Sequence, residues 1–195
     1  VEKIGGEMYE LLTMANRTTE DVFSLLDNLL KWTKSQIGNL NVVYQDVDAV
    51  EVVDSVIDVF NMVAGLKKIT IREEKPEKLP VCTDIDMLKT IIRNLLSNAI
   101  KFSNENSEVL VKMEEQGDTV VVSVKDSGCG IDEEGQQKLL HTDTHFSTFG
   151  TNNEEGSGLG LLLCQDFAVK IGGKLWFTSK EGEGSTFYFS IPLKK

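Results

Sequence analysis

The amino-acid sequence predicts an α+β protein: a two-layer α/β sandwich, in which helices cover one face of a mixed sheet, preceded by one long N-terminal helix. Two observations support this class. Apolar residues recur every three to four positions through the first forty residues, which is the period of an amphipathic helix. Later segments mix helical periods with the alternating pattern of strands. We therefore expect a helical segment at 1–39 and a sandwich domain at 40–195.

The N-terminal segment predicts a single helix that ends near Gly38. A helix of about 30 residues spans about 45 Å, and its apolar seam continues for more than three heptads. Two interpretations stay open: the seam pairs with other helices in a bundle or dimer, or the helix packs on its own domain. The seam consists of Met8, Leu11, Ala15, Thr18, Val22, Leu25, Leu29 and Trp32.

Local pattern and turn chemistry predict the remaining elements. Thr83 or Asp84 is expected to cap the helix that contains the sequence NLLSNAIKFS. A polar stretch at 141–157 separates two later helices. The predicted elements are strands at 42–47 and 68–74, helices at 49–66 and up to about Phe102, a hairpin of 107–115 with 118–126, helices at 132–140 and 157–171, and a closing hairpin of 173–180 with 185–192.

Composition limits the partners that the protein can bind. The net charge of -11 disfavours nucleic acid and anionic membranes over most of the surface. No apolar run approaches the ~18 residues that a membrane helix needs, so we expect no membrane segment in this chain. Cys82, Cys129 and Cys164 lack the spacing of a metal or redox motif, which indicates a reducing compartment.

Three polar residues in NLLSNAIKFS share one face of the predicted helix. Asn94, Asn98 and Lys101 lie at positions i, i+4 and i+7. Carboxamide oxygens suit Mg²⁺, which takes one or two protein ligands beside water and substrate phosphates, and a lysine one turn later can meet the same phosphates. The alternative is a pair of asparagines that bond each other or nearby backbone.

The sequence DSGCGI, residues 126–131, follows a predicted strand. Gly128 and Gly130 allow a tight turn and close approach to a flat ligand, while the Asp126 carboxylate can accept a hydrogen bond from an exocyclic amine. Asp-Ser-Gly is also a common turn, so this motif alone has two interpretations.

A second glycine motif, EGSGLGLLLC, opens a predicted helix. Free amides at a helix N-terminus bind phosphate, and glycines keep side chains out of the way. The alternative is an ordinary glycine-rich loop. The glycines concerned are Gly156, Gly158 and Gly160.

Taken together and in this order, the motifs resemble those of the histidine-kinase-like ATPase superfamily. NLLSNAIKFS is similar to the version found in sensor histidine kinases, and the resemblance covers residues 40–195. It implies a nucleotide-binding sandwich of the Bergerat type that binds ATP and Mg²⁺.

The resemblance also implies roles for individual residues on the predicted helix. Asn98 corresponds to the magnesium ligand, with Asn94 beside it as a second candidate, and Lys101 to the lysine that faces the phosphates. Phe102 stands where the family packs an aromatic ring near adenine. Asn94 and Lys101 are therefore the residues expected to act in catalysis.

Further residues follow from the two glycine motifs and the segment between them. Asp126 would receive the adenine amino group above Gly128 and Gly130, and residues 141–155 would form the ATP lid. The sequence HFSTFG resembles the phenylalanine box of the family but lacks its usual acidic and arginine residues. The residues expected at the lid and phosphates are Phe146, Phe149, Gly156, Gly158, Leu159 and Gly160.

Position 94 separates kinases from the water-using members of the superfamily. Chaperone and mismatch-repair members carry a glutamate four residues before the magnesium asparagine, where it activates water. Asn94 occupies that position here. The resemblance therefore implies transfer of the γ-phosphoryl group of ATP to a histidine, and from there to a response-regulator aspartate.

The N-terminal sequence LLDNLLKWTKSQIGNL resembles the second helix of the hairpin through which such kinases dimerise. This implies a homodimer in the complete kinase, a response-regulator receiver domain as partner, and a cytoplasmic location, either alone or as part of a membrane-anchored sensor. The resemblance implies that the acceptor histidine lies on a first helix that is absent from this chain. Because His141 and His145 lack its sequence context, we expect no autophosphorylation of this chain.

Two other functions remain as alternatives. One is a serine kinase of the anti-sigma-factor type, against which the long heptad helix argues. The other is a nucleotide-binding module without transfer activity.

Overall fold

The computed structural model describes residues 19, 22, 26–35, 40–139 and 159–193. The chain divides into two compact units, Val1–Leu40 and Asn41–Lys195. In the first unit, residues 26–35 form helix α1, on which Leu26, Leu29 and Leu30 are exposed. The remaining positions of the predicted seam that lie outside the described residues are Met8, Leu11, Ala15, Thr18 and Leu25.

The second unit is built on a five-stranded sheet with the strand order β2-β4-β5-β7-β6. Strands β2 and β4 are parallel, whereas the other neighbouring pairs are antiparallel, so the sheet is mixed. The elements are β1 Gln45–Asp48, α2 Ala49–Leu66, β2 Thr70–Glu74, β3 Pro80–Thr83, α3 Ile85–Phe102, β4 Glu108–Gln116, β5 Thr119–Lys125, α4 Glu133–Leu139, α5 Leu159–Lys170, β6 Leu175–Lys180 and β7 Gly184–Pro192.

Alternation along the strands gives the sheet one buried face. Val109, Val111 and Met113 of β4 are buried, while Lys112 between them is partly exposed. Helices α3 and α5 contact this sheet and each other. The packed layers confirm the predicted α+β sandwich. Its fully buried side chains include Leu88, Ile91, Ile92, Leu95 and Leu96 of α3 and Phe189 and Ile191 of β7.

Asp84 fixes the start of α3. Its Oδ1 accepts hydrogen bonds from the backbone N–H groups of Asp86 and Met87, each at 3.0 Å, which identifies the cap among the two residues predicted. Its Oδ2 accepts a further bond from Val43 N–H at 2.8 Å. The helix is therefore held at its first turn and also joined to the segment that precedes β1.

Most predicted elements are confirmed, and the differences have local causes. Strand β1 begins at Gln45 rather than at residue 42, because Val43 N–H bonds the Asp84 side chain instead of a strand. Strand β3 was not predicted. It has only four residues and starts with Pro80, and it pairs with β1 outside the main sheet.

Candidate functional site

The three polar residues of α3 share a partly exposed face, as predicted. Asn94, Asn98 and Lys101 are all half-buried, whereas Leu95 and Ala99 between them are buried. The heptad-like spacing places the polar groups along the border between the core and solvent. A ligand that lies along this border can reach all three side chains.

Asn94 connects α3 with the start of α5. Its Nδ2 donates a hydrogen bond to Thr90 O at 2.9 Å, one turn earlier in the same helix. Its Oδ1 lies so close to Gly160 that a Cβ at that position would approach it to 2.5 Å. The carboxamide is thus oriented by its own helix and covered by a residue without a side chain.

Lys101 and Phe102 lie together at the end of α3. The Lys101 ammonium is 5.1 Å from the centroid of the Phe102 ring, a cation–π arrangement. Both side chains are half-buried. A flat ring system and a negatively charged group could therefore be bound by adjacent residues.

Asp126 is a buried carboxylate at the end of β5, with 4% of its surface exposed. Its Oδ1 accepts hydrogen bonds from Gly128 N–H at 2.9 Å and Ser185 N–H at 3.2 Å. Within the described part of the chain, no hydrogen bond uses Oδ2. Burial raises the pKa of this carboxyl group, and the backbone hydrogen bonds oppose the rise without cancelling it.

The loop that follows Asp126 is packed between two other backbone segments. A Cβ on Gly128 would lie 2.1 Å from Phe102 O, and a Cβ on Gly130, whose φ is 65°, would lie 2.0 Å from Lys180 O. These contacts exclude any side chain at either position. They bring the Asp126 loop against the backbone at the end of α3, the turn that carries Lys101 and Phe102.

Sequence analysis missed the support that the turn between β6 and β7 gives to this loop. Gly182 N–H donates to Cys129 O at 2.7 Å, and Asp126 N–H donates to Ser185 O at 2.9 Å. Ser179 Oγ accepts from Ile131 N–H at 2.9 Å and lies 2.9 Å from Ser185 Oγ. Ser179 and Ser185 are not distinguished by the sequence pattern, because β6 and β7 also carry Thr178, Thr186 and Ser190.

The second glycine motif is described only in part. Leu159 and Gly160 form the first turn of α5, and Leu159 is buried. Because Gly160 lies against Asn94, the start of α5 lies beside the polar face of α3. The predicted lid at 141–155 lies outside the described residues, as do Phe146, Phe149, Gly156 and Gly158.

The donor groups at this site fit Mg²⁺ with a bound nucleotide. Within residues 40–139 and 159–193, no three His, Cys, Asp or Glu side chains lie together as a ready metal site. A cation here would have the Asn98 carboxamide oxygen and few other protein ligands. Mg²⁺ commonly binds in this way and completes its shell with water and phosphate oxygens.

The sequence is similar to that of known kinases. A family model described as histidine kinase-, DNA gyrase B-, and HSP90-like ATPase matches residues 83–195. Adaptive-response sensory kinase SasA of Rippkaea orientalis is 30% identical over 171 residues, which cover 87% of this chain and 43% of that protein. Sensor histidine kinase WalK of Bacillus subtilis is 28% identical over 186 residues, which cover 94% and 30%. The chain thus spans less than half the length of these curated relatives.

Solved structures with the same fold include two of the histidine kinase ThkA. The nucleotide-free catalytic domain of ThkA has a TM-score of 0.67 and 31% identity, covering 77% of this chain and 96% of that one. ThkA in complex with the response regulator protein TrrA has a TM-score of 0.76 at 24% identity, covering 96% and 52%. Full-length ShkA in complex with AMPPNP has a TM-score of 0.76 at 22% identity, covering 97% and 39%, and shows likeness of fold alone.

Proposed function

Since the chain belongs to the family of histidine kinase-, DNA gyrase B- and HSP90-like ATPases, we propose that residues 40–195 are the catalytic, Mg-ATP-binding part of a two-component sensor histidine kinase. The domain is of the histidine-kinase kind, as its relatives and its fold show. The proposal adds the reaction: the γ-phosphoryl group of ATP passes to a histidine outside this chain, and then to a response-regulator aspartate.

The proposal rests on one observation: the Asp126 carboxylate bonds Gly128 N–H, and Gly128 lies against the backbone at the end of α3. Asp126 Oδ1 is fixed by two backbone N–H groups. The other carboxylate oxygen, Oδ2, would accept from the adenine amino group. The backbone carbonyl of Phe102 lies against Gly128, and the half-buried Phe102 ring would pack on the base. A buried carboxylate with raised pKa in such a place is typical of a binding site rather than of a structural turn.

The remaining roles concern the triphosphate. Lys101 would offset phosphate charge, Asn98 would bind Mg²⁺ with Asn94 beside it, and Leu159 and Gly160 would present the α5 N-terminus to the phosphates. Gly156, Gly158, Phe146 and the lid at 141–155 belong to the same proposal. Mg²⁺, when bound, neutralises the charge that develops on the phosphates.

Transfer is favoured over hydrolysis by the chemistry of Asn94. A carboxamide cannot take a proton from water. The Asn94 Nδ2 group already donates a hydrogen bond to Thr90 O. The protein's contribution is therefore positioning and charge neutralisation, and the acceptor must supply the nucleophile. By the same proposal, residues 1–39 are half of a dimerising hairpin, and the partner of the complete kinase is a receiver domain.

Calorimetric titration of the chain with ATP in the presence of Mg²⁺ tests the binding step. We expect saturable binding at one site, weakened by chelation of Mg²⁺ and by Asn98→Ala. Ser97→Ala is the matched control, because Ser97 is the neighbouring exposed residue of the same helix. Equal affinities for the wild type and Asn98→Ala, with and without Mg²⁺, would argue against the assigned metal ligand.

Incubation with radiolabelled ATP tests the reaction. The chain alone should remain unlabelled, and a second protein that carries a histidine-bearing dimerisation hairpin of the same kinase class should become labelled. Acid-labile phosphate on His141 or His145 would contradict this division of roles. Rapid release of inorganic phosphate without any acceptor would indicate an ATPase instead.

A further inference from the structure

Lys67 is a lysine buried at the end of α2, with only 8% of its surface exposed. Its ammonium does not point to solvent. Nζ donates hydrogen bonds to Ile100 O at 3.0 Å and to Lys101 O at 2.8 Å. Both acceptors are backbone carbonyls in the last turn of α3.

The last carbonyls of a helix have no partner within the helix and must be satisfied from outside. At the end of α3, Ser103 N–H bonds Ala99 O at 3.0 Å. Lys67 binds the next two carbonyls, those of Ile100 and Lys101. A cation at this end also interacts favourably with the helix dipole. The C-terminal turn of α3 is therefore held by the side chain of the residue that follows α2.

That turn carries residues from both halves of the candidate site. Lys101 and Phe102 are part of it, and their side chains contact each other. Phe102 O lies against Gly128, whose N–H bonds Asp126. A small rotation of the turn would consequently move the phosphate-facing ammonium and the adenine-facing ring relative to Asp126.

We propose that Lys67 is a positioning residue for nucleotide binding, which acts by fixing the carbonyls of Ile100 and Lys101 and thereby the placement of Lys101 and Phe102. The inference rests on the proposed ATP site. It assigns to Lys67 no contact with the nucleotide itself.

The adjacent lysine has a different environment and gives a matched control. The Lys68 side chain is 67% exposed, and its ammonium is 3.7 Å from a Glu105 carboxylate oxygen. Exposed ion pairs of this kind contribute little to stability. Replacing either lysine with methionine removes one positive charge at nearly the same place in the chain, but only the change at Lys67 frees carbonyls of α3.

The experiment measures the affinity for Mg-ATP by calorimetry at a temperature where circular dichroism shows each variant to be folded. Lys67→Met should weaken binding about tenfold, whereas Lys68→Met should leave the affinity unchanged. Lys67→Arg retains a cation with several N–H donors and should restore most of the affinity. Lys67→Gln retains two N–H donors on one uncharged nitrogen. It serves if the methionine variant does not fold, with an intermediate loss expected.

A double-mutant cycle separates positioning from a general loss of stability. Since Lys67 is proposed to act through both Lys101 and Phe102, the losses caused by Lys67→Met and Lys101→Met should add only in part, because the second change removes one of the two groups that the first misplaces. Additive losses, or an unchanged affinity in folded Lys67→Met and Lys67→Gln, would overturn the inference. Failure of the wild-type chain to bind ATP at all would instead refute the proposed function on which it rests.

Discussion

The Asp126 carboxylate is buried, and its pKa is raised chiefly by that burial. An acid with a raised pKa in the folded state binds its proton more tightly there than in the unfolded chain. Its contribution to the free energy of unfolding is fully favourable below the ordinary pKa of aspartate, about 3.9, and is lost as the pH rises through the folded-state pKa. At neutral pH the buried, ionised carboxylate of Asp126 therefore lowers the free energy of unfolding.

Asp126→Asn should separate these two effects. The carboxamide oxygen can still accept from Gly128 and Ser185, but an amide donor replaces Oδ2 and would face the adenine amino group. We expect ATP binding to weaken by about tenfold or more, from the ~1–3 kcal/mol cost of an unpaired buried donor. The melting temperature at pH 7 should rise above that of the wild type, and the difference should shrink toward pH 4. A lower melting temperature at pH 7 would contradict the assigned effect of burial.

Gly160 makes a second residue-level prediction, because a Cβ there would meet Asn94 Oδ1 at 2.5 Å. Gly160→Ala should displace the Asn94 carboxamide from Thr90 O and lower the free energy of unfolding by about 1–2 kcal/mol in urea denaturation. Gly65→Ala is the control, since nothing lies within 4 Å of a Cβ there, and it should stabilise by up to ~1 kcal/mol. Adding Asn94→Ala to Gly160→Ala should cost less than the sum of the single changes.

Among elements, the β6–β7 turn has a role that is not apparent from its position in the chain. It lies more than fifty residues after the Asp126 loop, yet Gly182 and Ser185 bond that loop through the backbone. Ser179 adds a side-chain bond to Ile131 N–H. The part of the site that we propose to face adenine is thus built by two loops that depend on each other.

Two glycines of this turn allow the dependence to be measured. Gly182 and Gly184 both have positive φ, 78° and 98°, so alanine at either should cost about 1–2 kcal/mol in backbone strain. Only at Gly184 would the added Cβ also meet backbone, 2.2 Å from Asp126 O. Gly184→Ala should therefore destabilise by at least ~1 kcal/mol more than Gly182→Ala and weaken ATP binding. Equal effects of the two changes on stability and affinity would show that the turn does not support the loop.

The sequence predicts a structural feature when the residues that determine the feature lie close together in the chain. The bounds of α2 and α3, and the sharing of one face by Asn94, Asn98 and Lys101, depend on residues close in the chain and were predicted. Strand β3, the parallel pairing of β2 with β4, and the bond from Lys67 to the end of α3 depend on segments that meet only in the folded protein. Sequence periodicity carries no information on such meetings.

For the whole molecule, every candidate site residue that the structure describes belongs to the unit Asn41–Lys195. The fragment 41–195 should consequently fold alone and bind Mg-ATP with an affinity within about threefold of the full chain, since less than 1 kcal/mol of binding free energy is at stake. Calorimetry on both, with Asp126→Asn of the fragment as the negative control, measures this. A large loss of affinity on truncation would show that residues 1–40 contribute to the site.

The bond from Val43 to Asp84 has a mechanical consequence for this arrangement. Helix α3 has 18 residues and is therefore about 27 Å long. Val43 bonds the Asp84 cap at its first turn, and Lys67 bonds the carbonyls of its last turn. A straight helix that is bonded at both ends passes a force along its axis with little bending. The bonds made by Val43 and Lys67 therefore couple both ends of α3 to neighbouring segments, so that a displacement of residues 41–44 would act on the helix that carries Lys101 and Phe102.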